Sequence, residues 1–85
     1  MTSLQKAPVG KPHLIKWINV QDRNTSDYLE AHGVVDGAIV TVLMTSFDSV
    51  LVKIDNSMRM LIGKEIAERI SVGAFDTAGS AAMVL

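Results

Sequence analysis

Hydrophobic and polar residues alternate along several short stretches of the chain, with the period of strands that place one face against a core. The predicted strands cover residues 13–20, 38–44, 49–54, 58–62 and 70–72. The first of them does not keep a single alternating phase, so we expect a β-bulge in it. Five short strands, most of them joined by hairpin turns, predict a mainly β fold built as a small closed barrel.

One short helix is expected between the first and second strands. Side chains that can cap its start follow a polar break, and they are Asn24, Thr25 and Ser26. The helix is expected to run to His32 and to end at Gly33, because glycine readily takes the left-handed conformation that closes helices. Tyr28 and Leu29 are expected on its inner side. Residues 63–69 can add one short helical turn before the last strand.

The period of two sorts the strand residues into two faces. The expected interior set is Val40, Val42, Met44, Val50, Val52, Ile54, Met58, Met60 and Ile62. The opposite face carries four large aliphatic residues, Ile39, Leu43, Leu51 and Leu61. Four large aliphatic side chains on an outer face would be exposed to water unless another segment or chain packs over them. The helix, the apolar tail at residues 74–85, a second copy of the chain or a partner protein could each supply this cover, and the sequence does not choose among them.

Composition narrows the class of protein. The 85 residues predict one domain over residues 1–85, with its core at about residues 7–73 and a tail at 74–85. Cysteine is absent, which excludes disulfides and thiolate metal sites. The net charge of −1, without a basic cluster, argues against nucleic acid as a partner. We see no signal peptide and no apolar run of the ~20 residues needed to span a bilayer, so we expect a cytoplasmic protein without membrane insertion.

Candidate chemistry is sparse. His13 and His32, with Asp36, are the only weak candidates for a metal site, and no spacing motif joins them. Ser26, Asp27 and His32 have the residue types of a catalytic triad, but on one short helix they cannot adopt its geometry. We therefore expect neither an enzyme nor a bound cofactor. The single tryptophan, Trp17, is expected to pack in the core rather than to anchor a partner.

Three segments, in this order and spacing, resemble the FeoA family over residues 4–72. The first is Ala-Pro-Val-Gly-Lys at residues 7–11. The second is Leu29 followed by Gly-Val-Val-Asp-Gly-Ala-Ile-Val-Thr-Val at residues 33–42, and the third is the run from Ile62 through Ala67 to Val72. The resemblance implies a five-stranded SH3-like barrel with one short helix between strands 1 and 2.

The same resemblance implies a non-enzymatic accessory protein of bacterial ferrous iron uptake. It would dock on the cytoplasmic part of a FeoB-type membrane transporter and modulate it without carrying iron itself. The expected partner surface is the helix end and the following turn, formed by Leu29, His32, Val34, Val35 and Gly37. Self-association into a homo-oligomer stays open.

Two alternative functions share this fold class. SH3-like domains similar to this one occur as metal-responsive regulatory domains of iron-dependent repressors, although no DNA-binding helices precede the predicted barrel. Sm-like RNA-binding rings are also built from small barrels, although the balanced charge disfavours RNA.

Overall fold

The computed structural model describes residues 2–55 and 58–75, which form one antiparallel sheet with two α-helices and one 3₁₀ helix (Leu4–Lys6). The strands are β1 (Thr2–Ser3), β2 (Pro12–Ile18), β3 (Ile39–Thr45), β4 (Ser49–Ile54), β5 (Met58–Gly63) and β6 (Ile70–Ala74). Helix α1 (Arg23–Ala31) lies between β2 and β3, and the single turn α2 (Lys64–Ala67) lies between β5 and β6. The mainly β fold and the position of the helix are confirmed.

The sheet runs in the order β1-β6-β2-β3-β4-β5. It departs from the expected barrel in two ways. β1 adds a sixth strand by pairing Thr2 with Val72. A strand of two residues is too short to show the alternation from which the other strands were predicted. Within the described residues β1 and β5 do not pair with each other, so hydrogen bonds do not close the sheet into a cylinder.

The hydrophobic core lies on the inner face of this sheet and includes Leu4 near the start of the chain. Its largest fully buried side chains are Leu4, Ile15, Leu29, Val34, Val40, Val42, Val50, Val52, Ile70 and Val72. The interior set expected from the sequence is buried except for Met44 and Met58. Met58 is 40% exposed because it opens the edge strand β5, which has a neighbouring strand on one side only.

Met44 lies outside because β3 contains a bulge that the alternation did not reveal. The pairing of β3 with β4 shifts register between Val42, which faces Val52, and Met44, which faces Leu51. A bulge places two residues opposite one and reverses the phase beyond it. Met44 is consequently 59% exposed on the outer face.

The bulge predicted in the first strand is confirmed, and it also moves Trp17. The pairing of β2 with β6 shifts register between Ile15 and Trp17. Ile15 is buried, whereas Lys16 and Trp17 are both exposed. The expectation that Trp17 packs in the core is wrong, since 58% of its surface is exposed.

The N-cap of helix α1 lies two residues before the earliest expected cap, Asn24. Asp22 is the N-cap, and its carboxylate accepts hydrogen bonds from the Thr25 hydroxyl (2.7 Å) and the Thr25 backbone N–H (3.0 Å). Both bonds favour the ionised form, the hydroxyl bond more strongly, and they lower the pKa of Asp22. Asn24, Thr25 and Ser26 lie inside the helix instead.

Two substitutions separate the hydrogen bond of this cap from its charge. We expect Asp22→Ala to lower the melting temperature, and Asp22→Asn to lower it less, because asparagine also caps helices. The pKa of Asp22 in the folded chain lies below its ordinary value of 3.8. The negative charge therefore adds its full stabilisation above pH 3.8, and this stabilisation is lost as the pH falls through the folded-state pKa. Thermal melts from about pH 7 down to about pH 2 should show the gap between wild type and Asp22→Asn closing in acid. A gap that does not change with pH would contradict this assignment.

Candidate functional site

The end of helix α1 is closed by a Schellman motif. Gly33, at φ +85°, donates its N–H to the Glu30 carbonyl (3.0 Å), and Val34 donates to the Leu29 carbonyl (2.9 Å). The same motif brings the Leu29 and Val34 side chains into the core, where they are 2% and 1% exposed. Leu29 and Val34, both named for the partner surface, are therefore buried and hold the turn from inside, with Leu29 on the inner side of the helix as expected.

The segment that follows is a tight turn fixed to strand β2. Ala38 donates its N–H to the Val35 carbonyl (3.1 Å), and Gly37 takes the third position of the turn at φ +87°. The Gly37 N–H donates to the Ile15 carbonyl (2.8 Å), and the Ile15 N–H donates to the Ala38 carbonyl (2.9 Å). These bonds hold the first two residues of the turn, Val35 and Asp36, on a rigid base, and both are exposed.

An open cleft lies between this turn, helix α1 and the end of β2. Its lining residues are Ile18, Ser26, Leu29, Glu30, Val34, Val35 and Asp36. Val35 is the exposed valine of the pair, with 38% of its surface accessible, and the carboxylates of Glu30 and Asp36 are both exposed. The cleft thus offers an apolar patch beside two negative charges. Ser26 and Glu30 are four residues apart in the sequence and so lie on one side of helix α1. Ile18 belongs to β2, and only the folding of the chain brings it to them.

His32 stands beside Tyr28 rather than in the cleft. The two ring centroids are 4.3 Å apart, and Tyr28 is 52% exposed, which corrects the expectation that Tyr28 faces inward. The His32 Nδ1 donates to the Tyr28 carbonyl (2.8 Å) and so satisfies one of the last carbonyls of the helix. His32 and Tyr28 lie one turn apart, on a different side of α1 from Ser26 and Glu30.

The two histidines do not come together as a metal site. His13 lies in β2 and is 9% exposed, and its Nδ1 donates to the Lys11 carbonyl (3.0 Å). Within residues 2–55 and 58–75, no three histidine, aspartate or glutamate side chains converge where they could hold a metal ion. Asp36 therefore belongs to the cleft and to no ligand cluster of the described chain.

The rival surface expected from the sequence is the outer aliphatic set. Ile39, Leu43 and Leu51 are half-buried, and Leu61 is 63% exposed. The predicted cover by the tail concerns residues 76–85, which lie outside the described residues, while Ala74 belongs to β6. In the part of the chain that the structure describes, no helix has the length and apolarity to cross a bilayer.

Comparison with known proteins identifies the family. A sequence model of the FeoA domain matches residues 2–74. No curated protein sequence is significantly similar to the chain. Among solved structures, a crystal structure of an iron uptake regulatory protein (FeoA) is 23% identical, with 85% of this chain and 95% of that chain covered and a TM-score of 0.73.

Two further structures share the fold. The solution structure of FeoA from Chlorobium tepidum is 22% identical, with 88% of this chain and 71% of that chain covered and a TM-score of 0.80. A manganese-dependent transcriptional repressor is 20% identical, with 86% of this chain and 41% of the repressor covered and a TM-score of 0.77. These likenesses confirm the SH3-like fold, and the match over residues 2–74 shows that the chain belongs to the FeoA family, whose members take part in ferrous iron transport.

Proposed function

We propose that this chain acts, as a single FeoA-like domain in the cytoplasm, as a non-enzymatic accessory protein of bacterial ferrous iron uptake. It docks on the cytoplasmic part of a FeoB-type transporter and modulates transport without carrying iron. Membership of the FeoA family supports the link to ferrous iron. The observation that carries the docking site is the exposed start of the turn, Val35 and Asp36, held on a hydrogen-bonded base.

Rigidity of the turn favours recognition. Loops that carry binding residues on a stable scaffold lose little conformational freedom when a partner binds. Here Gly33 and Gly37 adopt the left-handed conformation, and bonds to Ile15 fix the turn to the sheet. Val35 is thereby presented in one position, as an apolar anchor requires.

The side chains that line the cleft indicate which kind of transporter segment would bind there. An aliphatic side chain of the transporter would pack on Val35 and Ile18. Lysine or arginine beside that side chain would face the carboxylates of Glu30 and Asp36, and charge complementarity of this kind mainly sets orientation and association rate. The docking segment of the transporter is therefore expected to be apolar with basic neighbours.

Ferrous iron uptake in cells tests the proposal. A strain that lacks this chain should take up radioactive ferrous iron, under anaerobic conditions, at a rate different from that of the parent strain. Wild-type protein should restore the parental rate, whereas Val35→Lys, expressed at the same level, should not. Val9→Lys is the matched control, because Val9 is an exposed valine that does not line the cleft. Unchanged uptake in the deletion strain, or full restoration by Val35→Lys, would contradict the proposal.

A further inference from the structure

Strand β5 lies at one edge of the sheet. Within the described residues it pairs with β4 alone, and it is six residues long, whereas the opposite edge, β1, has only two. Proteins usually guard a long edge with lysine, proline, a bulge or a cover. β5 pairs with β4 in unbroken register, contains no proline and carries one charge, Arg59. Its outer backbone groups can therefore receive another strand.

An apolar row leads to this edge across three strands. Met44 pairs with Leu51, and Leu51 pairs with Leu61, so the three side chains lie side by side on the outer face. Met44 and Leu61 are 59% and 63% exposed. The row ends at the edge itself, where an added strand would extend it.

A cleft with excess negative charge lies at the end of the same strand. Its lining residues are Phe47, Asp48, Gly63, Lys64, Glu65 and Ile66. Phe47 is 94% exposed, and the two carboxylates outnumber the single lysine. An arginine is suited to such a place, because it can pair with a carboxylate and stack on an aromatic ring.

We propose that a second copy of this chain pairs with β5, antiparallel and centred on Leu61. A two-fold axis at Leu61 joins the two apolar rows into one. It also sets Arg59 of the partner subunit opposite Gly63, beside Phe47 and the carboxylates of Asp48 and Glu65, so that the two Arg59 side chains do not oppose each other. The edge is thus complementary to itself in backbone, apolar contact and charge.

A cysteine placed on the expected axis tests this pairing. The chain contains no cysteine, so Leu61→Cys has a single thiol. Residues directly opposite each other across an antiparallel pair have Cβ atoms ~5 Å apart, close enough for a disulfide after a small adjustment. With oxidised glutathione, full-length Leu61→Cys should form a covalent dimer. Lys53→Cys is the control, since Lys53 lies on the same face but one strand farther from the axis.

The equilibrium without a cross-link supplies the second readout. Sedimentation of the wild-type chain from about 10 µM to about 1 mM should show a monomer–dimer equilibrium. Arg59→Ala should raise the dimer dissociation constant about threefold, as expected for a partly exposed charge contact, and Lys53→Ala should not change it. A monomer at all concentrations, or Lys53→Cys cross-linking as fast as Leu61→Cys, would overturn the proposal. Either result would leave docking through the α1 turn untouched, because that surface lies elsewhere on the chain.

Discussion

Replacing Leu29 by alanine is expected to lower the free energy of unfolding by about 2–5 kcal/mol, the range for large core aliphatic residues. Leu29 is 2% exposed, and its carbonyl accepts the hydrogen bond that closes the end of helix α1. The substitution would leave a cavity between the helix and Val34, because the backbone bonds of the Schellman motif hold both residues in place. A domain of this size has roughly 5–15 kcal/mol of stability to lose, so the effect is large.

Urea unfolding followed by circular dichroism measures this change. Glu30→Ala is the matched control, since Glu30 is the next residue of the helix and is exposed. Its effect should stay within about 0.5 kcal/mol. Equal effects of the two substitutions would show that Leu29 is not part of the core, and the assignment of the helix face would then be wrong.

The largest effect on binding is expected at Val35. Val35→Lys should raise the dissociation constant for the cytoplasmic part of the FeoB-type transporter at least tenfold, or about 1.4 kcal/mol. The lysine would remove an apolar contact and would set a positive charge where the partner is expected to carry one. Because Val35 is already 38% exposed, the free energy of unfolding should change by no more than about 0.5 kcal/mol.

Two neighbouring substitutions make this result specific. Val34→Lys should unfold the chain, because it would bury a charge where Val34 is 1% exposed. Val9→Lys should leave both binding and stability near the wild-type values. Calorimetry of binding, with a thermal melt of each variant, separates the two valines of the turn. Wild-type affinity of Val35→Lys would exclude the turn as the docking surface.

Local patterns in the sequence were sufficient for much of this fold. The alternation at residues 49–54 predicted the bounds of β4, and Gly33 predicted the end of α1. A regular strand and a glycine at a helix end are determined by their own side chains and backbone freedom. The sequence could not decide among neighbouring capping residues, so Asp22 was missed as the N-cap.

The errors in assigning strand residues to a face arose at β-bulges, where one extra residue moves every later residue of the strand to the opposite face. The bulge after Val42 moved Met44 to the outer face, and the bulge after Ile15 moved Trp17 out of the core. The position of each bulge depends on which strand pairs with which. The broken alternation of the first strand predicted a bulge there but not its place, and the regular alternation of β3 gave no sign of one. At the candidate site, the sequence indicated that one of the two adjacent valines could point outward, and Val35 is the exposed one. It gave no sign of Ile18, which joins the cleft from another element.

An NMR titration of the full-length, ¹⁵N-labelled chain with the unlabelled cytoplasmic part of the FeoB-type transporter tests the docking surface most directly. Amide signals of the helix end, the turn and its cleft, including those of Glu30, Val35 and Gly37, should shift or broaden in proportion to the transporter added. The signals of Leu61 and Arg59 on the β5 edge should keep their positions. Changes confined to the β5 edge, or no change at saturating transporter, would contradict docking through the turn.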